Sequence, residues 1–180
     1  MLLILKPFQY KLLKKFMTTI STVRQILSDS EVGLLPHLRR QLESQEFSKF
    51  GAQLSFQVES SRTHFHQGDG SPRLETTLLL SLKFLIILHR QPSPDDATLL
   101  ALELQERLDA SLVQWSQHNP HLLSPITEVK GSFSSLEEMP YQGGYLPGFS
   151  LNLKFELIYS AALAETKDLA NAKAPSVLST

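Results

Sequence analysis

The chain has 180 residues, 42% of them apolar and 19% charged, with 17 Lys and Arg against 18 Asp and Glu and no Cys. That length fits one domain of ordinary size with tails, and the composition is too apolar for a disordered chain. The absence of thiols excludes disulfide scaffolds, thiolate zinc sites, iron–sulfur clusters and cysteine nucleophiles, and a net charge of −1 argues against direct nucleic-acid recognition.

The charge is unevenly spread. Residues 1–16 carry Lys6, Lys11, Lys14 and Lys15 and no acid, which leaves 13 basic against 18 acidic residues in the remainder, a net −5. The run Leu2 to Leu5 is far shorter than the ~20 apolar residues that span a bilayer, and charge follows it instead of preceding it as in a secretory signal. One reading makes this segment a basic amphipathic helix on an anionic membrane, with Leu12, Leu13 and Phe16 on one face. The favoured reading starts the fold at Met17, where MTTISTVRQIL offers a Ser or Thr cap followed by Ile20, Val23, Ile26 and Leu27 at helical spacing. Residues 1–16 are then a gene-calling extension or an N-terminal arm.

From Ile20 to about Phe50 the pattern predicts two helical pieces broken near Gly33 and Pro36, the second with Leu35, Leu38 and Leu42 on one stripe. Ala52, Leu54, Phe56 and Val58 then alternate with polar residues as in a half-buried strand. Ser60, Arg62, His64 and His66 continue on the same parity, so the strand is expected to turn polar groups onto its inner face. The cluster Gly68, Asp69, Gly70, Ser71 and Pro72 predicts a turn into an antiparallel partner. Residues 74–90 form that partner, with Leu79, Leu85 and Ile87 on its second face suggesting cover on both sides, such as a partner subunit would give.

Pro92 and Pro94 stop this strand, and Asp95 and Asp96 open a helix carrying Ala97, Leu100, Leu104, Leu108, Leu112 and Trp115 along one face. A third strand is expected between Ile126 and Phe133, then a loop over 139–148, then a last strand in which Phe149, Leu151, Leu153, Phe155, Leu157 and Tyr159 alternate with polar residues. Residues 161–180 read as a flexible C-terminal arm or a frayed helix. The expected fold is α+β: a mainly antiparallel sheet of about four long strands with helices on one face, in the order α-β-β-α-β-β, over residues 17–160.

No phosphate-binding, dinucleotide, metalloprotease or hydrolase motif occurs. His64 and His66 point the same way on a strand and could share a metal with Asp69, but a third spaced ligand is missing, so no metal or other cofactor is assigned. His118 and His121 flank a helix C-terminus, where the dipole favours a cation, and Glu137 and Glu138 read as adjacent solvent-facing acids. No enzyme is expected. Tyr141 and Tyr145, on a segment with Gly143, Gly144 and Gly148, have the composition of a binding loop. The alternative is a wide turn with one Tyr packed on the sheet edge.

The start MTTISTVRQIL, a leading helix, two long strands joined by a GDG turn, the crossover helix DDATLLALELQERLDASLVQW and two closing strands together resemble the tail-terminator and tail-completion proteins of tailed phages and phage-like contractile injection systems. The resemblance covers about residues 17–160 and rests on element order and length. It implies a homo-oligomer, a hexameric ring, that caps the tail tube and meets sheath or neck proteins, in a virion or phage-like particle assembled in the host cytoplasm. On that reading Arg62, His64, His66, Tyr141 and Tyr145 are the expected subunit or partner interface. Two rival readings are a small ligand- or metal-binding α+β domain using the His64/His66 strand end, and a peripheral membrane protein anchored by residues 1–16.

Overall fold

Ser93 starts the longest helix among the described residues, and the way it does so shows how local chemistry sets the layout. Its Oγ accepts from the Asp96 N–H at 3.1 Å and donates to Asp96 Oδ2 at 2.7 Å, Pro94 takes the first helical position, and Asp95 and Asp96 sit at the positive end of the dipole. The helix that follows, α3 (Pro94–His118), buries Ala97, Ala101, Leu104, Leu108, Leu112 and Trp115, close to the stripe expected from the sequence.

The computed structural model describes residues 22–45, 47–66 and 73–162. The basic segment 1–16, the Met17 start, the 67–72 turn with Asp69, and the C-terminal arm from 163 onward lie outside them. Among the described residues two helical pieces precede α3: α1, helical over 22–28, and α2 (Leu34–Leu42). The break falls at 29–33. There Asp29 accepts from the Glu31 and Val32 N–H groups, and the Gly33 N–H bonds the Asp29 carbonyl at 2.9 Å. A Cβ on Gly33 would stand 2.4 Å from that carbonyl oxygen, so the position admits only glycine without movement. Pro36 does not break the chain as expected; it lies in the first turn of α2, where a missing N–H costs nothing.

Among the described residues the sheet has five strands: β1 (Gly51–His66), β2 (Arg73–Ile87), β3 (Val129–Phe133), β4 (Glu137–Tyr141) and β5 (Gly144–Ala162). Their order is β1-β2-β5-β3, with β4 also on β5, and every pairing is antiparallel. The fold is α+β as read from the sequence. The fifth strand comes from the segment expected to be a loop: residues 137–148 form a tight hairpin whose two turn residues, Gln142 and Gly143, have φ of 48° and 82°. That is the geometry of a two-residue turn matching the twist of the strands.

One face of the sheet carries the core. Leu78, Leu80, Leu82, Phe84 and Ile86 of β2 and the Phe149–Tyr159 series of β5 are buried under the helices. Trp115 Nε1 and Asn119 Nδ2 both donate to the Val32 carbonyl, at 2.8 and 2.9 Å, tying the α1–α2 turn to the end of α3. The opposite face has no helix among the described residues. Of its apolar members Ile87 is buried, with the Tyr141 ring beside it over Gly51, while Leu79 and Leu85 are half-buried.

Candidate functional site

A nine-residue α-helix is about 13 Å long, whereas a sixteen-residue strand extends about 50 Å. This mismatch produces the most unusual surface of the molecule. α2 covers only the start of β1, leaving a groove of about 460 Å³ floored by Phe50, Ala52, Leu54 and Phe56 and walled by Leu35 and Leu42. Beyond it, β1 is exposed on both faces through to His66. Phe56 is 44% exposed and Phe65 55%, and among the described residues β1 pairs only with β2, so its second edge of N–H and C=O groups is open.

The inner half of this edge, Gly51 to Val58, contains no charge and no proline. Such an edge has none of the usual guards against pairing with another chain. The outer half has a β-bulge between Val58 and Ser60 and the charges of Glu59 and Arg62.

The bulge also corrects the expected facing of the polar set. Val58 pairs with Leu80 and Ser60 with Leu79, so Glu59 is an extra residue and the parity reverses past it. Arg62, His64 and His66 therefore lie opposite Thr77, Glu75 and Arg73 on the open face, away from the helices. The helix-facing positions of the outer half are Ser61, Thr63 and Phe65, and Thr63 Oγ1 meets Thr76 Oγ1 at 3.2 Å. Glu59 contacts Lys154 Nζ at 2.7 Å across the intervening β2, and His66 Nε2 stands 3.5 Å from Glu75 Oε2.

The two tyrosines part company. Tyr141 is half-buried, its ring set edge-on to His89 at 6.4 Å between centroids and close against Gly51, whereas Tyr145 is 71% exposed. Both sit at the Gly51 end of the sheet, the opposite end from Arg62, His64 and His66, so the five residues form two patches and not one. His118 Nδ1 lies 2.8 Å from the Gln114 carbonyl, and the His121 N–H donates to Asn119 Oδ1, both local end-of-helix contacts. Glu137 and Glu138 are exposed on β4. Among the described residues no group of three His, Cys, Asp or Glu side chains is placed to hold a metal ion, and no helix is long and apolar enough to cross a membrane.

Three ionisable groups are shifted by burial, among them the Tyr159 hydroxyl, which it pushes up. His37, with Nε2 at 2.8 Å from Ser111 Oγ and its ring beside Trp115, is held below its ordinary pKa by desolvation. Asp109, whose Oδ1 is buried without a hydrogen-bond partner, is pushed up by the same cause. His37 and Asp109 both lie on the helical layer.

Neither a family model nor a curated protein matches the sequence. The functional reading therefore rests on the geometry of β1 and on the order of elements. Phe56, Val58 and Phe65 are the surface residues that sequence reasoning misses, because Phe56 and Val58 carry the alternation of a core strand. The signal that exposes them is length: the helical stripe before β1 is too short to cover it.

Proposed function

We propose that the protein is a structural subunit of the tail-terminator kind, assembling into a ring that caps a tail tube and joins it to sheath or neck proteins. The single observation that supports this reading most is β1, a sixteen-residue edge strand open, among the described residues, along its second edge and bearing exposed aromatic residues. Monomeric proteins blunt such edges, whereas subunits of assemblies use them. The element order α-β-β-α-β-β that carries the resemblance is present, with β4 added before the last strand. On this reading the protein works by shape and edge complementarity and turns over no substrate. The hexamer, the tube, sheath and neck partners, and the place in a virion or phage-like particle assembled in the host cytoplasm follow from the resemblance.

Native mass spectrometry and negative-stain imaging test the assembly, and inhibition of tube polymerisation in vitro tests the cap. Rings that stop tube growth are the expected result. A stable monomer without effect on tube length would reject the proposal. Phe56→Lys, at an exposed site, is expected to shift the population toward monomer without lowering the melting temperature.

A further inference from the structure

A strand sets alternate side chains on one face, so His64 and His66 stand side by side on the open face of β1, with Cα atoms about 6.7 Å apart. Two imidazoles are too few to hold a metal firmly, and the register of the sheet adds a third donor. Glu75 of β2 lies directly opposite His64, and its carboxylate leans along the face until Oε2 stands 3.5 Å from His66 Nε2. Two imidazoles and a carboxylate, from two strands, therefore share one end of one face.

The spacing of the His66–Glu75 pair fits more than an ion pair. Two donor atoms each about 2.1 Å from one tetrahedral zinc ion lie about 3.4 Å from each other, so a separation of 3.5 Å already matches one edge of such a tetrahedron. It is long for a charge-assisted hydrogen bond, which closes to about 2.7–2.9 Å, so the two groups are not drawn onto each other. As the side chains stand, the His64 ring does not complete the set. His64 is exposed, His66 is 60% and Glu75 36% exposed, and among the described residues no helix covers this face, so bringing the His64 ring over costs a change of rotamer and little packing.

The geometry points to a metal site formed by His64, His66 and Glu75 that takes one divalent ion of the zinc class, with water in the fourth position. Nitrogen donors in two of the three protein positions favour Zn2+ over Mg2+ and Ca2+, which seek oxygen. Arg73 lies opposite His66 and Arg62 opposite Thr77 on the same face; both charges oppose a cation, and the Glu75 carboxylate offsets one of them. The site makes no demand on the free edge of β1 and is the same in a monomer or a ring.

Calorimetric titration of the full chain with ZnCl2 at neutral pH tests the site, and Co2+ in its place reports the coordination geometry by visible absorption. One equivalent bound, with the absorption of tetrahedral Co2+, is the expected result. His64→Ala, His66→Ala and Glu75→Gln are each expected to weaken binding by about tenfold or more, and Arg73→Gln to tighten it. Melting temperatures of these variants without metal are expected to stay within a few degrees of the parent, which separates loss of the site from loss of the fold. A parent chain that binds no Zn2+ would overturn the proposal. Binding that survives all three ligand variants would place the ion on another histidine, such as His89, His118 or His121, and overturn it also. Binding lost with either histidine but untouched by Glu75→Gln would mean an adventitious ion only, held by two imidazoles, and would reject the three-ligand site.

Discussion

His37 sits between Ser111 and Trp115 with Arg40 one helical turn on, and both burial and that guanidinium oppose its protonation, while the Ser111 contact favours it. Its pKa in the folded chain is thus below the ordinary 6.5. The unfolded chain takes up a proton there more readily, so the stability tied to this group is complete above about 6.5 and is lost as pH falls below it. Urea midpoints are expected to drop between pH 7.5 and pH 5, with His37→Gln removing part of that drop. Asp109 works in the opposite sense. A carboxyl pushed up by burial favours the folded state in its protonated form and penalises it once ionised, so Asp109→Asn is expected to raise the midpoint at neutral pH. The two variants should show no difference of that kind below pH ~3, where the carboxyl is protonated in both states. Trp115→Phe shrinks a buried ring and removes one of two donors to the Val32 carbonyl, an expected loss of about 1–3 kcal/mol by equilibrium denaturation.

At the level of elements, two turns and a cap carry checkable costs. Gly143 holds φ at 82° in the β4–β5 turn, so Gly143→Ala is expected to cost about 1–2 kcal/mol and to loosen the contact of Tyr141 with Gly51. Ser93→Ala removes the cap of α3 and is expected to cost about 1 kcal/mol. The bulge allows a sharper test. Deleting Glu59 takes out the extra residue and leaves a regular ladder, Val58 opposite Leu80 and Ser60 opposite Leu79, so Arg62, His64 and His66 keep the open face and Thr63 keeps Thr76, while the Lys154 ion pair is lost. Stability is expected to change by less than about 1 kcal/mol, with amide exchange in the far halves of β1 and β2 unchanged. Faster exchange confined to those far halves would mean that the pairing past Val58 depends on the bulge.

For the whole molecule, the inequality of the two sheet edges is the controlling feature. The β5 side is closed off by β3, by β4 and by the Leu122–Tyr159 bridge, whereas β1 has no strand on its second edge among the described residues. Gln53 and Gln57 lie on its open face, opposite Leu85 and Ser81. Placing lysines there guards the edge as natural monomers do. Gln53→Lys with Gln57→Lys is expected to yield a monomer by light scattering, with a melting temperature within a few degrees of the parent; a variant that still assembles would remove β1 from the interface.

Much of this architecture is legible in the residues themselves. Alternation in 74–88 and 149–159, the helical stripe from Ala97 to Trp115 and the Ser93-Pro94-Asp95-Asp96 start are local patterns, set by side-chain period and by the unsatisfied groups of a helix end. The near-neutral total charge is likewise resolved by the sequence into a basic first sixteen residues and an acidic remainder. The sequence does not decide which face Arg62, His64 and His66 occupy, because a single extra residue reverses parity and nothing in the string marks Glu59 as that residue. Nor does it separate a buried strand from an exposed one: Phe56 and Val58 alternate as well as Phe84 and Ile86 do. Burial depends on what lies above each strand, and only the packed chain sets a nine-residue helix over the start of a sixteen-residue strand and leaves the rest of it open.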